Sequence, residues 1–186
     1  MGYAVSRTPF LRRIDSAGAL VRGRALPLAT LLTYSGRAMP LTVMGCFAIA
    51  TIAALRAGVV LAIGICIAQL CSQAVVHVAK TAFQRARPED WLLRAELGFS
   101  YPSGHAATAA LFFGSWLVYV LLAPIAQEPK AALAALLLCW IAGIGWSRVA
   151  LGAHYPIDVA GGTLMGLSFV CLTWAIFLRT GFLGGH

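Results

Sequence analysis

Acidic side chains are scarce in this chain. Six Asp and Glu stand against 14 Lys and Arg, a formal charge of +8, and all charged residues together make up only 11% of 186 positions. A soluble domain carries about 25% charge. A water-surrounded globule is therefore excluded, and a mean hydropathy of +0.84 points to a polytopic membrane protein. Linker-like stretches, internal repeats and low-complexity segments are missing too, which leaves a single domain over residues 1–186. Cysteine pairs of the Cys-x-x-Cys kind are absent. Cys46, Cys66, Cys71, Cys139 and Cys171 each lie in an apolar stretch, where they read as small packing residues rather than disulfide partners or metal ligands. No small-residue cleavage site follows the weak apolar run 25–34, so a secretory signal is not expected, although the first 24 residues hold five arginines. No basic run occupies a polar face away from the membrane, so nucleic acid is not an expected partner. The N-terminal arginines suit anionic lipid headgroups instead.

What the chain does contain is long apolar runs. A hydrocarbon core of about 30 Å takes roughly 17–25 apolar residues per helix. Five stretches qualify: Met39–Leu55, Ala57–Ala79, Pro102–Ile125, Ala131–Leu151 and Ile157–Leu178. The third and fourth are joined by the polar turn Ala126–Lys130. Residues 10–34 have a helical pattern but carry Arg12, Arg13, Asp15, Arg22 and Arg24. An arginine at the bilayer centre costs at least about 2.5 kcal/mol. This segment is therefore read as an amphipathic helix in the interface, with a short apolar piece after Pro27. A sixth crossing there is the alternative. The expected fold is all-α, a polytopic transmembrane helix bundle with an interfacial segment over residues 1–38 and the bundle over 39–178.

Three polar strings stand out against this background. Lys80 is followed, after six residues, by Arg87-Pro88. Pro102-Ser103-Gly104-His105 opens the third apolar stretch. Ser147-Arg148 closes the fourth, and His154 and Asp158 follow around the start of the fifth. Successive helices alternate in direction. The end of the second, the start of the third, the end of the fourth and the start of the fifth therefore all face one membrane surface, and every reactive residue gathers there.

Together the strings hold three cations, two imidazoles, a carboxylate, a hydroxyl and a glycine amide. Arginine presents a planar fork that fits two phosphate oxygens, which makes Arg87 and Arg148 candidates, with Lys80 as a point charge. Free N–H groups at the helix start near Ser103 and Gly104 attract an anion. A carboxylate at Asp158 that accepts from one nitrogen of His154 leaves the other basic, which is the logic of an activated nucleophile. Zinc binding by His and Asp is the alternative, disfavoured by the surrounding cations. Arg85 and Arg94 are assigned to the interface, with Arg85 within reach of substrate. His77 is read as a buried, hydrogen-bonded histidine, and Glu89, Asp90 and Glu96 as solvated. His186 carries no signal.

The three strings resemble the signature of the type 2 phosphatidic acid phosphatase family, which is related to the vanadium haloperoxidases. Lys80, Arg87 and Pro88, then Pro102 to His105, then Ser147, Arg148, His154 and Asp158 match it with no substitution, over roughly Gly36 to Gly166. The resemblance implies a helical bundle and a metal-independent phosphatase with no cofactor. By position, His154 attacks phosphorus and becomes a phosphohistidine, and Asp158 orients it. His105 protonates the leaving oxygen and then assists water. Lys80, Arg87, Ser103, Gly104 and Arg148 bind the phosphoryl oxygens. The implied partners are the bilayer and a lipid phosphate: an isoprenoid diphosphate such as undecaprenyl diphosphate, phosphatidate, phosphatidylglycerol phosphate or a phosphorylated glycolipid. A haloperoxidase, a lipid phosphotransferase using the same histidine and a catalytically silent scaffold are the competing readings. The implied setting is a bacterial cell membrane. Five crossings put the N-terminal arginines on the site side, which favours a cytoplasmic site; six reverse this; the resemblance favours the extracytoplasmic surface. No feature of the sequence sets an oligomeric state.

Overall fold

In the computed structural model of the chain, residues 9–37, 59–88 and 96–179 are described. Every regular element among them is helical. Helix α1 (Pro9–Ala17) runs into a 3₁₀ turn at Gly18–Leu20. Then come α2 (Leu26–Ser35), α3 (Val59–Phe83), α4 (Gly104–Leu122), α5 (Gln127–Ala150) and α6 (Pro156–Arg179). Helices α3 to α6 are each long and apolar enough to cross a bilayer, so this is an integral membrane protein. The expected span Met39–Leu55 lies outside the described residues.

Helix ends differ from the sequence expectation where local chemistry decides them. Helix α3 continues past Ala79 to Phe83, so Lys80 sits in its last turn instead of following it. There its charge suits the negative end of the helix dipole. Gln84, with φ of 46°, ends the helix and donates its N–H to the Lys80 carbonyl at 2.9 Å. Helix α5 starts at Gln127, inside the stretch expected to be a turn. Pro129 belongs to its first turn, where a missing N–H breaks no helical bond.

Helix α4 is the centre of the bundle, buried continuously from Ala106 to Ser115. Leu111 packs with Leu61 and Ile65 of α3 and with Val170 and Trp174 of α6. On its other side Ala109, Phe112 and Phe113 meet Ile144 of α5. Large apolar side chains such as Leu70, Leu136, Leu164 and Leu172 point outward, as lipid-facing residues do. Cys66, Cys71, Cys139 and Cys171, expected as small packing residues, are exposed on this outer surface. Bulky neighbours already fill the core, and lipid accepts a thiol. Cys46 lies outside the described residues.

The contact between α4 and α6 depends on missing side chains. A Cβ added at Gly162 would stand 2.3 Å from the Ser103 carbonyl oxygen, and one at Gly166 would stand 2.4 Å from that of Ala107. Small residues four apart let two membrane helices approach backbone to backbone. The two helices are also joined at their starts, where the Ser103 N–H donates to the Asp158 carbonyl at 2.9 Å.

The N-terminal segment packs on the same end of the bundle. The Gly23 N–H donates to the Ala150 carbonyl at 2.9 Å, and further along α2 the Trp140 indole donates to Ser35 Oγ at 3.2 Å. The piece after Pro27 thus lies lengthwise on α5. Helix α1 meets the first turn of α6, where the Ile157 N–H donates to Asp15 Oδ1 at 3.3 Å.

Candidate active site

The end of the bundle that gathers the three strings is built largely from helix caps. Helix α5 closes in a Schellman arrangement. The Gly152 N–H donates to the Val149 carbonyl and the Ala153 N–H to that of Arg148, both at 3.0 Å. Gly152 has φ of 69°, which a residue with a side chain rarely adopts. The His154 N–H also reaches the Arg148 carbonyl, at 3.2 Å. The turn thus fixes the histidine relative to the arginine. Helix α6 then starts with Pro156 in its first turn, and the Asp158 side chain reaches back to accept the Tyr155 N–H at 2.9 Å. This is half of a capping box. One carboxylate therefore holds both a helix start and, through its other contacts, the imidazole.

His154 is buried, with its two ring nitrogens in different company. Arg87 Nη1 lies 3.2 Å from Nε2. A guanidinium can only donate, so Nε2 accepts and the proton sits on Nδ1. That proton faces Ser100 Oγ at 3.4 Å and Asp158 Oδ2 at 3.7 Å. Ser100 in turn donates to Asp158 Oδ2 at 2.5 Å. The carboxylate acts on the ring both directly and through this hydroxyl. Burial lowers the His154 pKa from 6.5 to about 4, and Arg148 and Arg87 push it the same way against the bond to Asp158. At neutral pH the ring is uncharged, and the Nε2 lone pair faces the cations.

Those cations converge on one carboxylate. Glu96 bonds to Arg148 Nη2 and, at 3.1 Å, to Arg87 Nη1. Burial would raise its pKa, but Arg148 foremost, with Arg87 assisting, holds it at about 2. Sequence reasoning expected Glu96 to be solvated, and the structure corrects that: two buried guanidiniums need a counter-charge. Arg148 also donates to Thr33 Oγ1 of α2 at 2.5 Å, and its Nε has no partner among the described residues. Lys80 donates to the Phe99 carbonyl at 2.6 Å.

The remaining expected residues surround this cluster. Ser103 is fully buried and caps α4, accepting from the Ala106 N–H at 3.5 Å. Gly104 is the first residue of that helix and His105 the second. The Nε2 of His105 is buried with no hydrogen-bond partner among the described residues, within electrostatic reach of Arg148, Glu96 and His154. Ser147 turns back to its own helix, donating to the Ile144 carbonyl at 2.7 Å. It stabilises the end of α5 and does not face the cluster. Among the described residues no three His, Cys, Asp or Glu side chains converge as metal ligands would.

Besides Glu96 and Thr33, the residues Ser100, Arg85 and Asp15 were not found as parts of the site in the sequence. Ser100 carries no motif signal beyond standing two residues before Pro102. Arg85, expected at the interface, is buried: it donates to Asp158 Oδ1 at 2.5 Å and stacks over the Tyr155 ring at 4.3 Å. Its spacing of two from Arg87 on an extended segment was the available hint. Asp15 of α1 takes the other end of the same guanidinium, and nothing local to the sequence announces a contact that distant. His77, expected to be buried, is exposed on α3, because its face of the helix has no neighbour among the described residues. Arg94, Glu89, Asp90 and His186 lie outside the described residues.

Known proteins resemble this chain in sequence and in fold. The chain is 34% identical over 119 residues to a lipid A 1-phosphatase of Rhizobium johnstonii, covering 59% of this chain and 45% of that one. It is 38% identical over 82 residues to phosphatidylglycerophosphatase B of Escherichia coli, covering 42% and 30%. The aligned part thus spans less than half the length of either curated relative. In fold it resembles a transmembrane PAP2 type phosphatidylglycerolphosphate phosphatase from Bacillus subtilis. The TM-score is 0.82 at 24% identity, covering 93% of this chain and 89% of that one. The family model of the PAP2 superfamily matches residues 53–182, a stretch that contains every residue from Lys80 to Asp158. On that match the chain belongs to the PAP2 superfamily.

Proposed function

We propose that the protein is a membrane lipid-phosphate phosphatase that cleaves a phosphomonoester or diphosphate through a phosphohistidine at His154. One observation carries this reading: the Glu96 carboxylate held by Arg87 and Arg148 beside Nε2 of His154. A carboxylate and a phosphoryl group present similar anionic oxygens to a guanidinium fork. An anion site therefore adjoins an uncharged, oriented imidazole.

In this reading the phosphoryl oxygens of the substrate displace Glu96 from the two arginines. Lys80, the Ser103 hydroxyl and the Gly104 amide take the remaining oxygens. His154 Nε2 attacks phosphorus in line. A P–N bond forms as the P–O bond to the lipid breaks, and His105 gives its proton to the departing oxygen. Asp158, with Ser100, stabilises the positive charge that grows on the imidazole. Water then attacks phosphorus and passes a proton to His105 as the P–N bond to His154 breaks. Phosphate leaves, and both histidines return to their starting state. The preorganised cations stabilise charge in each transition state, which is commonly the largest single contribution to catalysis. This charge comes from the chain itself, so the reaction needs neither a metal nor a cofactor.

The names of the two curated relatives support a phosphorylated lipid as substrate. So does an apolar groove of about 420 Å³ close to the site, lined by Ile14, Val21, Trp146, Val149 and Val159. We read the chain as one domain, an N-terminal segment over residues 1–38, of which α2 lies along α5, and a catalytic bundle over 39–178. The test of the reading is phosphate release by the purified protein from phosphatidate and from an isoprenoid diphosphate, with His154→Ala alongside. Release by the native chain and none by the variant is expected. Release by neither, or by both, would remove the proposal.

We further place the protein in a bacterial cell membrane with the site at the extracytoplasmic surface, on the strength of the family resemblance. Leu97, fully exposed on the site face, is the reporter. In a cysteine-free background, Leu97→Cys should react with a membrane-impermeant maleimide in intact cells. Protection until lysis would put the site in the cytoplasm, the side that the α1 arginines favour under the positive-inside rule.

A further inference from the structure

Helix α1 lies outside the three strings, yet it makes two polar contacts to the part of the molecule that holds Asp158. Asp15 Oδ2 accepts from Arg85 Nη2, while Arg85 Nη1 donates to Asp158 Oδ1 at 2.5 Å. Asp15 Oδ1 accepts the Ile157 N–H at 3.3 Å, one residue before Asp158. Both side chains are largely out of solvent, Arg85 at 7% exposure and Asp15 at 9%. Arg85 also stacks over Tyr155, the neighbour of His154. A continuous chain therefore runs from Asp15 through Arg85 and Asp158 to His154, joining three separate segments of the fold. The mechanism above uses neither Asp15 nor Arg85.

We propose that Asp15 is a positioning residue for the nucleophile, acting through Arg85 on Asp158; the inference rests on the phosphatase reading. The reason is charge sharing. With Asp15 present, the guanidinium of Arg85 is divided between two carboxylates. Without that charge, Arg85 acts on Asp158 alone and draws its electron density away from His154. Asp158 becomes a weaker partner for the Nδ1 proton just when attack on phosphorus makes the ring cationic. Ground-state binding of the phosphoryl group by Arg87, Arg148 and Lys80 is untouched. Loss of Asp15 should therefore appear in kcat and not in KM.

The test uses the full chain in detergent micelles with dilauroyl phosphatidate as substrate. Asp15→Asn keeps the size and an acceptor for the Ile157 N–H but removes the charge. It is expected to lower kcat about 10-fold with KM changed by less than about twofold. Asp15→Glu restores part of the loss. In an Arg85→Gln background, adding Asp15→Asn should cost less than about twofold more, because the path through Arg85 is already cut. Rates are taken per mole of protein that elutes as folded on size exclusion. Wild-type kcat in folded Asp15→Asn, or losses that multiply in the double variant, would overturn the proposal and leave Asp15 a structural staple. If Asp15→Asn does not fold, Asp15→Ser is read by the same criteria. His154→Ala is measured in parallel. If it keeps full activity, the phosphatase mechanism itself fails; if it is inactive while Asp15→Asn is normal, only the present inference falls.

Discussion

His154 has a guanidinium in front of one ring nitrogen and a hydroxyl and a carboxylate behind the other. This asymmetry gives the residue its tautomer and, in the proposed mechanism, its direction of attack. On that proposal, replacing it with alanine removes the nucleophile, so turnover should vanish while the protein still inserts and folds. Asp158→Asn should be milder, lowering kcat by about 10²–10⁴-fold, because an amide orients the ring poorly and cannot offset its charge. Steady-state rates of the two purified variants check the order, and an Asp158→Asn loss as complete as that of His154→Ala would contradict it. The electrostatics make a separate claim. Burial first, then Arg148 and Arg87, hold the His154 pKa at about 4 instead of 6.5. Nitrogen NMR of histidine-labelled protein, assigned with His154→Gln, should find this ring neutral from pH 8 down to pH 5. A midpoint near 6.5 would mean that the pocket does not repel the proton. At this scale the sequence was informative where residue type and spacing coincide with chemistry, as in His154 and Asp158 or Arg87 and Arg148. It was misleading where a partner is remote. Glu96 in a hydrophilic connection looked solvated, and Arg85 looked interfacial, because the burial of each depends on charges from other segments.

Between residues and fold stand the helix ends and the close approach of α4 to α6. The caps of α5 and α6 place Arg148, His154 and Asp158 relative to one another within a single short turn, so their geometry is local. Ser103 caps α4 and Gly104 and His105 open it, and their distance from Asp158 is set by how closely α4 lies against α6. Gly162 controls that distance. Its missing Cβ leaves room for the Ser103 carbonyl, a backbone atom that cannot swing aside. Gly162→Ala should therefore destabilise the protein by about 1–3 kcal/mol. It should also lower kcat in the folded fraction by moving His105 and the helix start away from His154. Thermal unfolding in detergent and rates per folded mole test both parts. Unchanged stability would show that α4 and α6 do not need this contact. The four crossing helices among the described residues were legible from apolar runs alone. Their ends were not, because α3 gains a turn from Lys80 at its terminus and α5 accepts Pro129 in its first turn. The seating of α2 on α5 was also hidden. Thr33 and Ser35 look like ordinary polar residues until Arg148 and Trp140 are found opposite them.

For the whole molecule, the decisive property is a charged site at one end of an apolar bundle. Only the 13 residues from Glu89 to Tyr101 join the first two strings, and α5 passes to α6 through a still shorter turn. Such connections offer few polar groups for reading a large headgroup, and specific recognition needs several that converge. Affinity should come from the phosphoryl group and from lipid tail, at about 0.8 kcal/mol per buried CH₂. Across a substrate panel, kcat/KM should follow tail length and an accessible terminal phosphate. A preference above about 100-fold for one headgroup, about 2.7 kcal/mol, with no dependence on tail would refute this. The alternation of helix direction, read from sequence, correctly gathered the three strings at one end. The docking of α1 beneath that end was not readable, since its arginines suggested only a lipid surface. The central claim is a covalent phosphate on His154, and one measurement addresses it directly. His105→Ala is mixed with labelled p-nitrophenyl phosphate, whose leaving group departs without a proton, and is quenched in alkaline denaturant. The account predicts a burst of about one nitrophenolate per site, because attack proceeds while the water step is slowed. It also predicts an alkali-stable, acid-labile phosphate on the peptide containing His154. Turnover with no bound phosphate, or with label on any other residue, would contradict the account.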